Sequence, residues 1–219
     1  MVALYELEQY VNDYLEIKKY DDYAPNGVQV EGRREIKKIV SGVTACRALI
    51  DDAIEEEADL ILVHHGYFWR GEDPCVVGMK AQRLGLLLGN DLSLMAYHLP
   101  LDGHVLVGNN AQLATRLGLE VGGNFGQGGV AIAVYGELEE PMLLDDFALH
   151  VASCVGRTPL VVDGGVKSIK RVGLCTGAAQ GYIHAAADLV VVVNVVKRTG
   201  LEVEVIEVKL TNLGLWSII

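Results

Sequence analysis

Hydrophobic and polar positions alternate along the first half of the chain in two distinct patterns. Apolar residues three to four positions apart, such as Leu4, Leu7 and Val11, predict an amphipathic helix over about residues 3–18. Downstream of it, short apolar runs predict strands, and helical patterns lie between them. The predicted elements are strands at residues 36–43, 60–63 and 92–97 and helices at residues 47–57 and 78–88. This alternation is typical of strand–helix–strand units with parallel strands.

The second half of the chain predicts shorter and more varied elements. Asn109 or Asn110 can cap a helix that runs to Leu117, and Gly118 suits a left-handed C-terminal cap. The further predicted elements are a strand at residues 130–137, a helix opened by Pro141 and reaching about Val155, strands at 160–162 and 169–175, and a short helix at 182–187. Residues 190–196 and 201–210 predict two strands joined by a tight turn.

A glycine-rich stretch at residues 122–129 lies between these two groups of elements. Glycine is conformationally permissive, so the stretch is either a flexible connector or a loop that lets another group approach the backbone closely. We take it as the domain boundary. The sequence therefore predicts two α/β domains, at residues 1–121 and 122–219.

Composition narrows the class of protein. Of the 219 residues, 51% are hydrophobic and 21% are charged, which excludes a disordered chain. Lysine and arginine number 18 against 29 aspartate and glutamate residues, and the formal net charge is −11. That acidic balance argues against binding to nucleic-acid phosphates or to an anionic membrane surface. The longest apolar run, residues 189–196, contains Asn194 and is too short to span a membrane.

The N-terminus and the cysteines bear on the compartment. Acidic residues stand where a signal peptide has basic ones, so we expect a cytoplasmic protein. The four cysteines are widely spaced without a CxxC pair, which predicts neither a zinc knuckle nor a disulfide framework.

Two adjacent histidines carry the most informative chemistry. His64 and His65 stand where a predicted buried strand ends, and the carboxyl ends of strands in open α/β sheets are where ligands bind. Neighbouring side chains on a strand point to opposite faces, so the two imidazoles suit a pair of metal ions better than one ion. The next parallel strand ends near His98, Asp102 and His104, which we expect close by. The residues alone leave open that these are hydrogen-bonded loop residues and that Asp102 forms a turn.

Several motifs together closely resemble the Nif-three-like (YbgI-type) proteins. They are NGVQVEG at 26–32, GVTA at 42–45, ADLILVHHG at 58–66, YHLPLD at 97–102, GNN at 108–110 and CTGAAQ at 175–180. The resemblance implies two α/β domains with mixed, largely parallel sheets facing a central cleft, and assembly into a ring-shaped homohexamer. It also implies a dinuclear centre with two divalent ions per subunit, which could be zinc, manganese, iron or nickel. By matching motif, His64, His65 and Asp102 are metal ligands, and His98 either supports these ligands without binding the metal or transfers protons.

Two functions follow from this resemblance. The first is a metal-dependent hydrolase acting on a small nucleotide-like or phosphorylated substrate, like the family members labelled GTP cyclohydrolase type-two homologues. The alternative is a non-catalytic, ring-shaped scaffold or regulatory protein that binds metal or ligand.

The sequence departs from the family pattern near its end. The family supplies a further His and Glu ligand from a late Gly-His-His-x-x-x-Glu run, whereas this chain has no histidine after His184. The second domain is shortened near residues 188–197. Three interpretations are open: a shortened member of the family, an altered chain, or a sequence that leaves out an internal segment, the last two being favoured. Three protein ligands for two ions predict weaker metal binding than five.

Overall fold

The structure is a computed structural model that describes residues 1–126, 131–162, 165, 167–177, 182, 191–195 and 204–207. The helices are α1 (Leu4–Tyr14), α2 (Arg47–Glu55), α3 (Gly78–Gly89), α4 (Leu99–Gly103), α5 (Asn109–Arg116) and α6 (Leu144–Val155). The strands are β1 (Val2–Ala3), β2 (Gly27–Val30), β3 (Glu35–Ile36), β4 (Lys38–Thr44), β5 (Leu60–His65), β6 (Ser93–Ala96), β7 (Leu119–Phe125), β8 (Ala133–Leu143), β9 (Ser168–Thr176), β10 (Val191–Val195) and β11 (Glu204–Glu207). None of the described helices is both long and apolar enough to cross a membrane.

The chain forms two compact units. One consists of residues 1–101 and 198–219, and the other of residues 102–197. The α/β class with mixed sheets is confirmed by the strand pairing in both units. The division into domains at residues 121 and 122 stays a prediction.

The first unit contains a five-stranded sheet in the order β11-β4-β5-β6-β2. Its three central strands are parallel, and β2 and β11 pair antiparallel at the edges. Helix α2 connects β4 to β5 and helix α3 connects β5 to β6, as the alternating pattern predicts. Both helices bury their apolar faces against the sheet, with Ile50 and Leu87 fully buried beside Ile61 and Leu94. The carboxyl ends of the parallel strands therefore lie at one edge of the sheet.

A buried carboxylate fixes the opposite end of β5. Asp59 accepts hydrogen bonds from the backbone N–H groups of Lys37 and Lys38 at 2.8 and 3.0 Å and from the Arg33 guanidinium at 2.9 Å. Burial alone raises the pKa of Asp59, but these hydrogen bonds outweigh burial and lower it below its usual value. The start of β5 is thereby attached to the segment that opens β4.

The second unit contains a four-stranded sheet in the order β10-β9-β8-β7. The pairs β7–β8 and β8–β9 are antiparallel, and β9–β10 is parallel. Helices α5 and α6 supply Leu113 and Phe147 to a core with Ile169 and Leu174. Gly118 follows α5 at a φ of 66°, which confirms the left-handed position predicted there.

Glycines 122 and 123 are part of strand β7, which pairs with β8. A side chain at Gly122 would collide with the ring of Tyr135, whose Cε2 atom lies 2.6 Å from the position of a Cβ. Of the two alternatives for this stretch, the described part therefore shows close approach of another group to the backbone, and that group is the Tyr135 ring.

Three predicted elements are wrong. Pro141 lies within β8, where the pairing with β9 shifts register between Glu137 and Met142, and the helix begins only at Leu144. Proline fits there because an irregular pair does not need its missing N–H. The segment 160–162 is not a strand, and its residues are largely exposed. The last two strands form no hairpin, because β10 pairs with β9 and β11 pairs with β4. Except for Tyr182, the short helix predicted at 182–187 lies outside the described residues.

Candidate metal centre

Three histidines meet at the carboxyl edge of the first unit's sheet. Strand β5 ends with His64 and His65, and its parallel neighbour β6 is followed by Tyr97 and His98. One potential ligand atom from each histidine lies within 4.8 Å of those from the other two. The ring centroid of His64 is 4.4 Å from that of His65 and 5.1 Å from that of His98. His64 and His98 are buried, and His65 is half-buried. We call these three residues the histidine cluster.

Hydrogen bonds at the Nδ1 atoms set the proton positions of two of these rings. His64 Nδ1 is 3.0 Å from the carbonyl oxygen of Tyr97, and His98 Nδ1 is 2.8 Å from Asp22 Oδ1. A carbonyl and a carboxylate only accept, so Nδ1 is the donor in both rings. In the neutral imidazole, Nε2 then carries the lone pair that can bind a metal. His65 Nδ1 lies 3.2 Å from Thr44 Oγ1, which can donate or accept.

Asp22 is the functional residue that the sequence analysis missed. Its side chain is 4% exposed, and its oxygens accept from His98, the Asn26 amide, the Leu99 backbone N–H and the Ala24 backbone N–H. Burial alone would raise the pKa of Asp22, but the hydrogen bonds, foremost that from His98, lower it to about 2. A clue lies in the sequence, since Asp22 stands in a turn-rich stretch just before the NGVQVEG motif.

The turn that follows the two histidines requires glycine. A side chain at Gly66 would collide with Gln29 Oε1 and with the Ala96 side chain. Gln29 Oε1 is held there because it accepts the backbone N–H of Tyr67 at 2.7 Å. Strand β2, which carries Gln29, therefore packs directly on the turn and fixes where strand β5 ends after His65.

The histidine cluster fits a transition metal. Imidazole nitrogens suit zinc, iron, nickel and copper, and the Nδ1 hydrogen bonds are those that orient metal-binding histidines in other proteins. An ion bound at about 2.1 Å in tetrahedral geometry holds its ligand atoms roughly 3.4 Å apart. The separations of up to 4.8 Å are somewhat wider, which small side-chain rotations or a second ion would accommodate.

Asp102, the third predicted metal ligand, belongs to the second unit. It is 4% exposed, and its Oδ1 accepts from Thr176 Oγ1 at 2.9 Å and from Asn109 Nδ2 at 2.8 Å. The Thr176 N–H in turn donates to Asn110 Oδ1 at 2.7 Å. The GNN motif and Thr176 of the CTGAAQ motif thus meet around Asp102.

His104, His150 and Cys175 lie outside the histidine cluster. His104 Nδ1 accepts the N–H groups of Leu106 and Val107, which closes a turn. His150 Nε2 lies 3.0 Å from the Leu117 carbonyl at the end of α5. Burial, with a smaller effect from the Asp102 charge, raises the pKa of the Cys175 thiol to about 12. His184 lies outside the described residues.

The structure thus brings together His64, His65 and His98, two of them predicted as ligands and one as a proton-transfer residue. The roles predicted for these three residues and for Asp102 stay predictions.

Comparison with known proteins places the chain among relatives of one kind. Residues 2–213 match the sequence model of a family described as Duf34/NIF3 (NGG1p interacting factor 3). A "GTP cyclohydrolase 1 type 2 homolog" of Pseudomonas aeruginosa is 56% identical over 186 residues, which span 84% of this chain and 73% of the relative. The protein of the same name from Escherichia coli is 47% identical over 183 residues, spanning 83% of this chain and 72% of the relative.

Two solved structures share the fold with substantial sequence identity. Protein ybgI, described as of unknown function, is 44% identical with a TM-score of 0.84, covering 88% of this chain and 78% of its own. TTHA1606 from Thermus thermophilus is 34% identical with a TM-score of 0.78, covering 88% of this chain and 77% of its own.

Proposed function

Because this chain belongs to the Duf34/NIF3 family, we propose that it is a metal-dependent hydrolase acting on a small nucleotide-like or phosphorylated substrate. The observation that carries the proposal is the histidine cluster, three imidazoles with ligand atoms within 4.8 Å of one another at the carboxyl edge of a parallel sheet. The name "GTP cyclohydrolase 1 type 2 homolog" of the relatives supports the substrate class. We expect two divalent ions per subunit and a homohexamer, as the resemblance implies, and a cytoplasmic protein, as the acidic N-terminus indicates.

His64 and His65 hold metal in this proposal, and the resemblance adds Asp102 as a ligand. A bound divalent ion would lower the pKa of a water molecule and stabilise the negative charge that develops when the water attacks. It would also supply a local positive charge to an anionic substrate, which the net charge of −11 otherwise repels.

The chain itself provides orientation and proton transfer. The Tyr97 carbonyl fixes the ring of His64, so its Nε2 atom is the one that carries the lone pair. The Asp22 carboxylate, 2.8 Å from His98 Nδ1, orients that ring and stabilises it when Nε2 takes up a proton. His98 is therefore suited to receive a proton from the attacking water and to give it to the leaving group.

Metal content tests the proposal. Protein purified without chelators is analysed for transition metals, with His64→Ala, His65→Ala and Asp102→Ala beside it. His150→Ala is the matched control, because that histidine contacts the end of α5 and lies outside the cluster. We expect about two ions per chain in the native protein and in the control, and a loss in the three variants. Undiminished metal in His64→Ala would contradict the proposed site.

Turnover separates the hydrolase from the scaffold. Nucleotides and phosphoesters are screened with added Mn²⁺, Zn²⁺ or Fe²⁺, and products are identified by mass spectrometry. A hydrolase converts at least one of them, and His98→Ala lowers the rate roughly 100-fold or more. Saturable metal and ligand binding without any turnover would instead identify the scaffold.

A further inference from the structure

Two aromatic side chains border the histidine cluster and reach the surface. The ring centroids of Tyr23 and Trp69 are 5.6 Å apart, and each is 4.9 Å from that of His98 in a nearly perpendicular orientation. The Trp69 ring is also 6.0 Å from the ring of His65. Tyr23 is 47% exposed and Trp69 is half-buried. We call Tyr23 and Trp69 the aromatic wall.

Contacts between two loops hold the aromatic wall in place. The Arg70 backbone N–H donates to the Tyr23 carbonyl at 2.7 Å, and the Arg70 guanidinium donates to the Asp22 carbonyl, also at 2.7 Å. The Trp69 backbone N–H donates to the Glu72 carboxylate at 3.0 Å. Both backbones are thus fixed, so a flat ligand would meet a surface that is already formed and would lose little affinity to ordering it.

Core packing does not explain where these rings lie. Among the described residues, neither ring belongs to the buried core of the first unit. The preceding residue, Phe68, has a φ of 65° and is 39% exposed. A bulky residue in the left-handed region costs conformational energy, and such strain is concentrated at functional sites. The loop thus combines a strained backbone with exposed aromatic surface beside the histidine cluster.

The charged side chains beside the aromatic wall indicate what kind of ligand it would accept. Arg70 pairs with Asp21 at 3.2 Å, and Lys80 pairs with Glu72 at 2.9 Å. In each pair a carboxylate already compensates the cation, so neither cation is left to bind a phosphate. A flat, weakly charged ring suits such a surface better than a phosphate or an acidic peptide does.

We propose that the aromatic wall stacks a planar heteroaromatic ring, of the size of a purine base, beside the histidine cluster. The inference rests on the proposed function and deepens it, because it assigns the ring of the substrate to a surface of this chain. Stacking of one base on an aromatic side chain changes affinity by about 5-fold to 150-fold and tolerates different bases.

Tryptophan fluorescence tests the stacking directly. The chain has two tryptophans, so Trp216→Phe leaves Trp69 as the single emitter. This variant is titrated with guanosine monophosphate and with ribose 5-phosphate, which share the sugar and the phosphate but differ by the base. We expect saturable quenching by guanosine monophosphate and none by ribose 5-phosphate. No saturable quenching by guanosine monophosphate, or equal binding of both compounds, would overturn the inference.

Calorimetry with variants tests whether the wall supplies the affinity. Trp69→Ala should weaken guanosine monophosphate binding by roughly tenfold or more, whereas Trp69→Phe keeps a ring and should stay within about threefold. Tyr10→Ala is the matched control, since Tyr10 is 45% exposed and stacks on Tyr14 at 6.3 Å. Equal affinity of Trp69→Ala and Tyr10→Ala for guanosine monophosphate would contradict the proposed stacking on the aromatic wall.

Metal analysis of the same samples separates this inference from the proposed function. Normal metal content with lost nucleotide affinity in Trp69→Ala supports the wall. Quenching by guanosine monophosphate in a protein that binds no metal would leave the wall standing and refute the hydrolase. Normal metal content with unchanged affinity in Trp69→Ala would refute the wall alone.

Discussion

Replacing Asp22 by asparagine removes the group that positions His98. The carboxylate accepts four hydrogen bonds through two oxygens, at 2.7 to 3.2 Å. The amide of Asp22→Asn keeps one acceptor oxygen, so two of the four donors face an NH₂ group instead. The side chain is only 4% exposed, so water cannot replace the lost acceptor.

The fall in the free energy of unfolding follows from the number of hydrogen bonds lost. A hydrogen bond to a charged group contributes about 1.5–3 kcal/mol, so the loss of two predicts a fall of about 3 kcal/mol or more in the free energy of unfolding. Because His98 transfers protons in the proposed function, loss of the carboxylate that orients its ring should also lower turnover by about 10-fold to 100-fold. We expect Asp22→Asn to show both effects.

Urea unfolding and turnover of a substrate found in the screen measure the two effects separately. Asp21→Asn is the matched control, because the Asp21 side chain is 87% exposed and pairs with Arg70 at 3.2 Å. Such a surface pair contributes about 0–1 kcal/mol, so the control should resemble the native protein in both assays. If Asp22→Asn matches Asp21→Asn in stability and turnover, Asp22 does not position His98.

Three further predictions concern stability and reactivity. Folding lowers the pKa of Asp59. The stabilisation by the Asp59 carboxylate is therefore complete above the pKa of this group in the unfolded chain, about 4, and it is lost as the pH falls below that value. Urea unfolding at pH 6 and pH 3 should show a smaller acid-induced loss in Asp59→Asn than in the native protein; equal losses would contradict this. Gly66→Ala should destabilise by roughly 1–3 kcal/mol because of its collisions, whereas Gly85→Ala, in α3 with open space around it, should be neutral or stabilising by thermal unfolding. Equal melting temperatures for the two would refute the close packing at Gly66. Iodoacetamide at pH 8 should modify exposed Cys75 and leave buried Cys175 unmodified, as read by mass spectrometry of peptides; rapid modification of Cys175 in the folded protein would contradict its burial.

The first unit could be predicted largely from local patterns. Apolar runs such as residues 60–63 and the helical patterns beside them are signals within a short segment, and they fix strand and helix identity directly. The helix predicted over about residues 3–18 is too long. Helix α1 ends at Tyr14, because the chain turns at Glu16 with a φ of 52°. The α/β class follows from these elements alone.

Strand partners could not be predicted in the same way. A proline at position 141 fits the start of a helix and an irregular strand pair equally well, and only the pairing with β9 decides between them. Likewise, two strand patterns with a short connection predict a hairpin, but β10 pairs with the preceding strand β9 and β11 pairs with β4 near the start of the chain.

The histidine cluster could be predicted from the sequence. The residue that supports it, Asp22, could not. His64 and His98 end parallel strands, so their convergence follows from topology. Asp22 acts across 76 positions of sequence on His98, and no local pattern reports that distance. The aromatic wall could not be predicted for the same reason, because Tyr23 and Trp69 lie in two different loops.

A crystal structure of manganese-loaded protein, with anomalous scattering measured at the manganese edge, shows whether the histidine cluster holds metal. We expect anomalous density within about 2–2.3 Å of His64 Nε2 and of a ring nitrogen of His65, with the hydrogen bonds from His64 Nδ1 to Tyr97 and from His98 Nδ1 to Asp22 retained. Density elsewhere on the chain, or none at these histidines in a protein that is folded and saturated with manganese, would contradict it.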